Sequence, residues 1–133
     1  MKNRSIKWLG AIAVLVSLAA AAQVGHPAKG SWLGSYGPDE GDQRRMRLLI
    51  DWQNRELNGT INPGRNAVKM DKITIDYDTW TLTIEANMPQ EGGSTAHFVA
   101  TGVLDNLGSW TNRRYRGSYT LGRETGEFEF LLN

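Results

Sequence analysis

The sequence predicts an all-β domain, a single eight-stranded antiparallel up-and-down barrel, and three observations predict it. From Gly30 onward apolar residues recur at every second position in one run after another, which is the period of a half-buried strand. Short clusters of Gly, Pro, Asn and Asp separate the runs at the spacing of hairpin turns. No stretch of this region keeps a helical period. Every run has one apolar face and none reads as a polar edge, which favours closure over a two-sheet sandwich, since a closed barrel leaves no strand edge exposed.

The expected strands follow in order. Gly30–Tyr36 is the first, and the turn-rich Gly37-Pro38-Asp39-Glu40-Gly41 ends it. Arg44–Gln53 sets Met46, Leu48, Ile50 and Trp52 against Arg45, Arg47 and Asp51, with Leu49 as the exception. Glu56–Ile61 aligns Leu57, Gly59 and Ile61 until Asn62-Pro63-Gly64 breaks the ladder, because proline lacks a donor and glycine permits positive φ. Lys69–Tyr77 and Thr79–Asn87 form the clearest hairpin, with Ile73, Ile75 and Tyr77 facing Trp80, Leu82, Ile84 and Ala86. His97–Leu104, Tyr115–Leu121 and Glu127–Leu132 complete the eight, the last with Phe128, Phe130 and Leu132 inward.

Upstream of the barrel, residues 1–22 have the form of a cleavable secretory signal. Lys2, Arg4 and Lys7 precede an apolar run from Trp8 to Leu18, and Ala19 to Ala22 supply the small residues that signal peptidase requires. The apolar run falls short of the roughly 20 residues that span a bilayer. No cysteine is present to carry a lipid anchor, so the expected product is periplasmic or secreted, without stable membrane insertion. Residues 23–29 read as a flexible lead and 30–133 as the domain, large enough for one core. Loss of the signal leaves twelve of fifteen basic residues against fourteen acidic ones, turning a net charge of +1 into about −2. That removes general nucleic-acid binding from the expected partners. Without disulfides, stability must come from packing.

Little in the residue inventory points to catalysis. With only His26 and His97 and no cysteine, the usual three or four imidazole and thiolate ligands of a zinc site cannot be assembled. Asp39, Glu40 and Asp42 lack the spacing of a twelve-residue calcium loop and read as a solvated acidic turn. Ser94, Ser109 and Ser118 lie in no Gly-x-Ser-x-Gly elbow, and His97 would be the sole base. Asp51, Asp76 and Glu85 alternate outward on regular strands rather than converging as a glycosidase pair. The expectation is a protein that is not an enzyme, with no metal and no cofactor.

Topology gives a better handle on a site. In an up-and-down barrel the loops 37–43, 62–67, 88–95 and 122–125 gather at one end, the natural mouth. Asn62, Arg65, Asn66 and Arg123 sit there on loops carried by a rigid frame, although Asn62-Pro63-Gly64 reads equally as a rigid turn. Tyr36, Trp52 and Tyr119 are the expected wall contacts. An eight-stranded barrel is only just wide enough to be filled by side chains or to hold one small ligand, and glycines opposite aromatics either relieve crowding or open a cavity. At the other end Trp32, Trp110 and Arg113 are expected to close the floor, with the guanidinium across the Trp32 ring.

Gly30-Ser31-Trp32-Leu33-Gly34 resembles the Gly-x-Trp opening of the first strand in lipocalin and avidin-like (calycin) proteins. That resemblance implies an up-and-down barrel with a plugged narrow end. More of the chain is similar to uncharacterised exported bacterial proteins, through Leu49-Ile50-Asp51-Trp52, Gly59-Thr60-Ile61-Asn62-Pro63-Gly64 and Asn106-Leu107-Gly108-Ser109-Trp110-Thr111-Asn112-Arg113. No activity comes with it. No inward polar constellation of the biotin-binding type is present. The expected function is therefore non-catalytic binding of a small apolar or amphipathic molecule at the loop-rich end. The alternatives are a solid barrel that engages an envelope protein or polysaccharide, and an enzyme of unknown type.

Overall fold

The computed structural model describes residues 26–109 and 111–133. The expectations for the signal at residues 1–22, for the first residues of the lead and for Trp110 lie outside the described residues. The described chain is all-β, as its period-two pattern predicts. Its strands are β1 (Gly30–Asp39), β2 (Asp42–Gln53), β3 (Glu56–Ile61), β4 (Val68–Lys69), β5 (Lys72–Asp76), β6 (Thr81–Pro89), β7 (Thr95–Asp105), β8 (Arg114–Leu121) and β9 (Glu124–Leu132), with one short 3₁₀ turn at Glu91–Gly93. They form one antiparallel sheet in the order β4-β3-β2-β1-β9-β8-β7-β6-β5. The first strand pairs with the last from Trp32↔Leu132 to Gly37↔Glu127, and every other ladder joins sequence neighbours.

The expected closed eight-stranded barrel is corrected on one point. The expected single strand Lys69–Tyr77 splits at Met70 and Asp71 into two short pieces that serve opposite edges. Val68–Lys69 pairs with β3, and Lys72–Asp76 pairs with β6. The sheet therefore has nine strands and its ladder does not close. The cause is Met70, which turns inward to fill the space over Gly59, where a β-carbon would come within 2.7 Å of the Met70 sulfur. Two backbone bonds stitch the edges at this point, Met70 N–H to Gly59 O at 2.9 Å and Asp71 N–H to Glu85 O at 2.8 Å. Below the stitch, β3 and β5 face each other without pairing.

The apolar faces read from the sequence point to one core. Trp32, Met46, Leu48, Ile50, Ile61, Leu82, Ile84, Phe98, Tyr115 and Phe130 are fully buried, while Leu49, the exception in its strand, lies outside. Aromatic rings fill the interior in contact with one another: Tyr115 on Trp32, Phe128 and Phe130, and Phe98 on Tyr36 and Tyr119. Gly102 and Gly117 stand opposite each other on β7 and β8. A β-carbon on Gly117 would meet Thr101 O at 2.1 Å, and one on Gly102 would meet the Phe128 ring at 2.7 Å. These glycines accommodate strand coiling under an aromatic ring.

Turns set the register. Asn54 and Arg55 both have positive φ (53° and 64°) between the paired Gln53 and Glu56, the geometry of a two-residue type I′ hairpin. Tyr77, expected inward on its strand, lies beyond the end of β5 and is 51% exposed. The lead also departs from expectation. From His26 to Lys29 it is a packed turn, with His26 7% exposed and Ala28 fully buried. The reason is hydrogen bonding, which carries no sequence period: the Trp32 indole N–H donates to Ala28 O at 2.8 Å, and Arg113 donates to Pro27 O at 3.0 Å.

Candidate functional site

The loop-rich end gathers most of the residues expected to bind a ligand but leaves the two tyrosines little free surface. Tyr36 on β1 and Tyr119 on β8 are 8% and 2% exposed, with rings 5.2 Å apart edge to face. The Tyr119 hydroxyl donates to Glu124 Oε2 at 2.6 Å. Arg44 donates to the same oxygen and lies over the Tyr36 ring at 4.6 Å. The bond from Tyr119 and then the Arg44 guanidinium hold the Glu124 carboxyl below the usual carboxylate range. Burial, reinforced by Glu124, pushes the Tyr119 phenol up. Glu124 is thus the shared acceptor of this end, while Arg44 Nε is buried without a hydrogen-bond partner.

The remaining mouth residues divide. Asn62, at φ 49°, is a structural turn: its side-chain oxygen accepts Arg47 N–H at 3.0 Å and its own N–H donates to Arg47 O at 2.7 Å. Arg65, Asn66 and Arg123 are exposed on their loops. Trp52 is not at this end. It is paired with Leu57 next to the Asn54-Arg55 turn, at the end opposite the mouth.

At that opposite end Trp32 and Arg113 are both tied to the turn of the lead, Trp32 through Ala28 O at 2.8 Å and Arg113 through Pro27 O at 3.0 Å. Arg113 is 3% exposed and is gripped by the carbonyls of Pro27 and Leu107, at 3.0 and 2.7 Å. Burial lowers its pKa from the ordinary arginine value, and these carbonyls compensate its desolvation.

The unpaired stretch between β3 and β5 forms a cleft of about 460 Å³. Its walls are Trp52, Leu57, Ile73, Ile75 and Tyr77, and its rim is Arg55, Glu56, Asp71 and Lys72. Leu57, Ile73 and Ile75 are half-buried, resting on the core while still facing the opening. Antiparallel ladders direct a residue's N–H and C=O alternately toward and away from the neighbouring strand. With Gln53 and Glu56 closing the β2–β3 turn, the backbone of Leu57 points away from β2. With Leu104 N–H bonded to Trp80 O, the same alternation carried across β6 turns Ile73 and Ile75 away from it. The cleft therefore presents apolar side chains together with backbone donors and acceptors that belong to no ladder among the described strands.

His26 stands at one end of this cleft. Its ring packs on Trp52 at 4.8 Å and on Tyr77 at 5.6 Å, and its Nε2 lies 2.9 Å from the Tyr77 hydroxyl. Of these cleft residues the sequence singled out Trp52 alone. Ile73, Ile75 and Tyr77 were legible as an apolar face, but expected closure placed them inside a barrel.

A second hollow, of about 870 Å³, lies on the outer face of β1, β9, β8 and β7. Ser35, Val103, Gly117 and Ser118 contribute to its lining beside Glu40, Gln43, Asp105, Arg116, Glu127 and Glu129. Arg116 is paired with Asp105 at 2.9 Å and Arg114 with Glu129 at 3.8 Å.

The groups weighed for catalysis are apart and differently engaged. His97 is exposed between Glu85 and Asn87, at 3.2 and 3.3 Å. Asp51 pairs with Lys29 at 3.7 Å, and Asp76 accepts Asp78 N–H in its turn. Asp39 accepts Gly41 N–H. Among the described residues no group of three His, Asp or Glu is arranged to hold a metal ion, and no helix is long and apolar enough to cross a membrane. No protein-family model, no curated protein and no solved structure matches the chain.

Proposed function

We propose that the chain is exported and acts as a non-catalytic binding module for a small, largely apolar or amphipathic molecule, held in the cleft between β3 and β5. The observation that carries this reading is the combination of half-buried Leu57, Ile73 and Ile75 with Trp52 and Tyr77 beneath a charged rim. A volume of about 460 Å³ falls within the roughly 300–1,000 Å³ of small-molecule sites, and a lining divided between apolar and polar surface suits an amphipathic molecule. The loop-rich end supports this placement by contrast, because Glu124 already accepts from Arg44 and Tyr119, and Arg44 covers the Tyr36 ring. Export rests on the basic start, apolar run and alanines of residues 1–22. The calycin resemblance enters only through the Gly-x-Trp strand.

The test is mass spectrometry of small molecules released when the purified protein is denatured, with Ile75→Asp as control. An amphipathic molecule retained by the wild type and lost in the variant is the expected result. A molecule retained equally by both would place the site elsewhere.

The outer-face hollow favours a second reading, an interaction module for an envelope protein or polysaccharide. Its breadth across four strands and its charged residues Glu40, Asp105, Arg116, Glu127 and Glu129 suit an extended partner.

A further inference from the structure

We propose that His26 is an acid-sensitive latch on the end of the β3–β5 cleft, closed while its imidazole is neutral and released when it takes up a proton. This rests on the reading of the cleft as the ligand site and adds its regulation.

The two ring nitrogens of His26 have different partners. Nδ1 accepts the N–H of Ala28 at 3.0 Å, so it must carry a lone pair. The proton of the neutral ring is then on Nε2, which donates to the Tyr77 hydroxyl at 2.9 Å. A second proton has only Nδ1 to occupy, where it would face the Ala28 N–H donor to donor. The imidazolium and the observed Ala28 contact are incompatible.

Burial acts in the same direction, pushing the His26 pKa below its ordinary value. The charged groups on the surrounding elements are of both signs. Lys29, on the same turn, is paired with Asp51 of β2. Arg113 grips Pro27 O. Arg55 and Glu56 lie on the β2–β3 hairpin, Asp71 and Lys72 at the start of β5, and Asp76 and Asp78 on either side of Tyr77.

The rest of the turn is held independently of the imidazole. Ala28 O keeps the Trp32 indole and Pro27 O keeps Arg113. Protonation therefore releases the ring from Trp52 and Tyr77 while the floor stays in place. Both of those residues line the cleft, so its end opens. Because the folded-state pKa is lowered, the latch contributes fully above the unfolded value of about 6.5. Its contribution is lost as pH falls through the lower folded value.

The experiment is ¹H–¹⁵N NMR of the purified protein from pH 8 to pH 4.5, beside His26→Asn, whose side-chain oxygen accepts the Ala28 N–H at every pH. In the wild type, Ala28 amide exchange corrected for its intrinsic pH dependence rises at least about tenfold as His26 protonates. The Trp52 indole signal moves with the same midpoint, and the variant shows neither change. Identical profiles in the two proteins, or His26 titrating while Ala28 and Trp52 stay fixed, would overturn the latch. Imidazole ¹⁵N shifts of the wild type at pH 8 provide a check that needs no variant: Nε2–H supports the latch, and Nδ1–H overturns it. Binding of anilinonaphthalene sulfonate, followed in parallel, separates the two claims. Titration of Ala28 and Trp52 without dye binding at any pH supports the latch and removes the cleft reading alone.

Discussion

The loop-rich end and the β3–β5 cleft draw on similar side chains and use them in opposite ways. At the loop-rich end Tyr119 and Arg44 meet on one carboxylate, and the arginine covers the second tyrosine. Aromatic and charged groups there are consumed by each other, which closes the end. In the cleft Trp52 and Tyr77 have His26 between them, while Leu57, Ile73 and Ile75 stay half-buried beside an unpaired ladder. What separates the two regions is backbone pairing. Polar loops on a frame are a common place for a binding site, but here the opening lies where the ladder stops.

The largest effect is expected in the interior that both regions share. Gly117→Val places a side chain against Thr101 O and Gly102. It is expected to cost more than about 4 kcal/mol, read as a collapse of the urea midpoint. Glu124→Ala acts on one region only. It strips Tyr119 and Arg44 of their shared acceptor and is expected to lower stability by about 1–3 kcal/mol, with dye binding in the cleft unchanged.

The same carboxylate gives a pH signature. Its folded-state pKa is depressed, so its contribution is complete above the unfolded value near 4.3 and is lost as pH falls through the lower folded value. Tyr119→Phe should flatten that acid limb in urea denaturation measured at successive pH values. Ile75→Ser acts on the other region. It is expected to weaken dye binding about tenfold, roughly 1.4 kcal/mol, while the pH profile from Glu124 persists. The smallest effect belongs to the hairpin that starts the cleft. Arg55 sits at φ 64°, a conformation glycine adopts without steric cost. Arg55→Gly should therefore raise stability by up to about 1 kcal/mol and leave dye affinity intact.

Much of the fold was legible because alternation reports which face of a strand is buried. Met46, Leu48 and Ile50, or Leu82, Ile84 and Ala86, could be assigned from spacing, and the structure buries them. Alternation does not report which edges pair. In Lys69–Tyr77 the alternation holds from Lys72 onward, whereas Met70 falls in phase with outward Lys72, Thr74 and Asp76 and yet turns in over Gly59; one strand, and so a closed barrel, was expected where the sheet stays open. Tyr36 and Tyr119 were expected as cavity walls, but Glu124 lies eighty positions from Arg44 and no local signal announces that contact. His26 was hidden for a related reason. Its partners are a backbone N–H and a distant hydroxyl, and neither produces a period.

The central claim is that a ligand enters between β3 and β5 and not through the loop-rich end. Its most direct test is a ¹H–¹⁵N chemical-shift map of the purified protein titrated with anilinonaphthalene sulfonate. Perturbations centred on Leu57, Ile73, Ile75, Tyr77 and the Trp52 indole are expected. Perturbations centred on loops 37–43, 62–67 and 122–125, with the cleft residues unmoved, would contradict it.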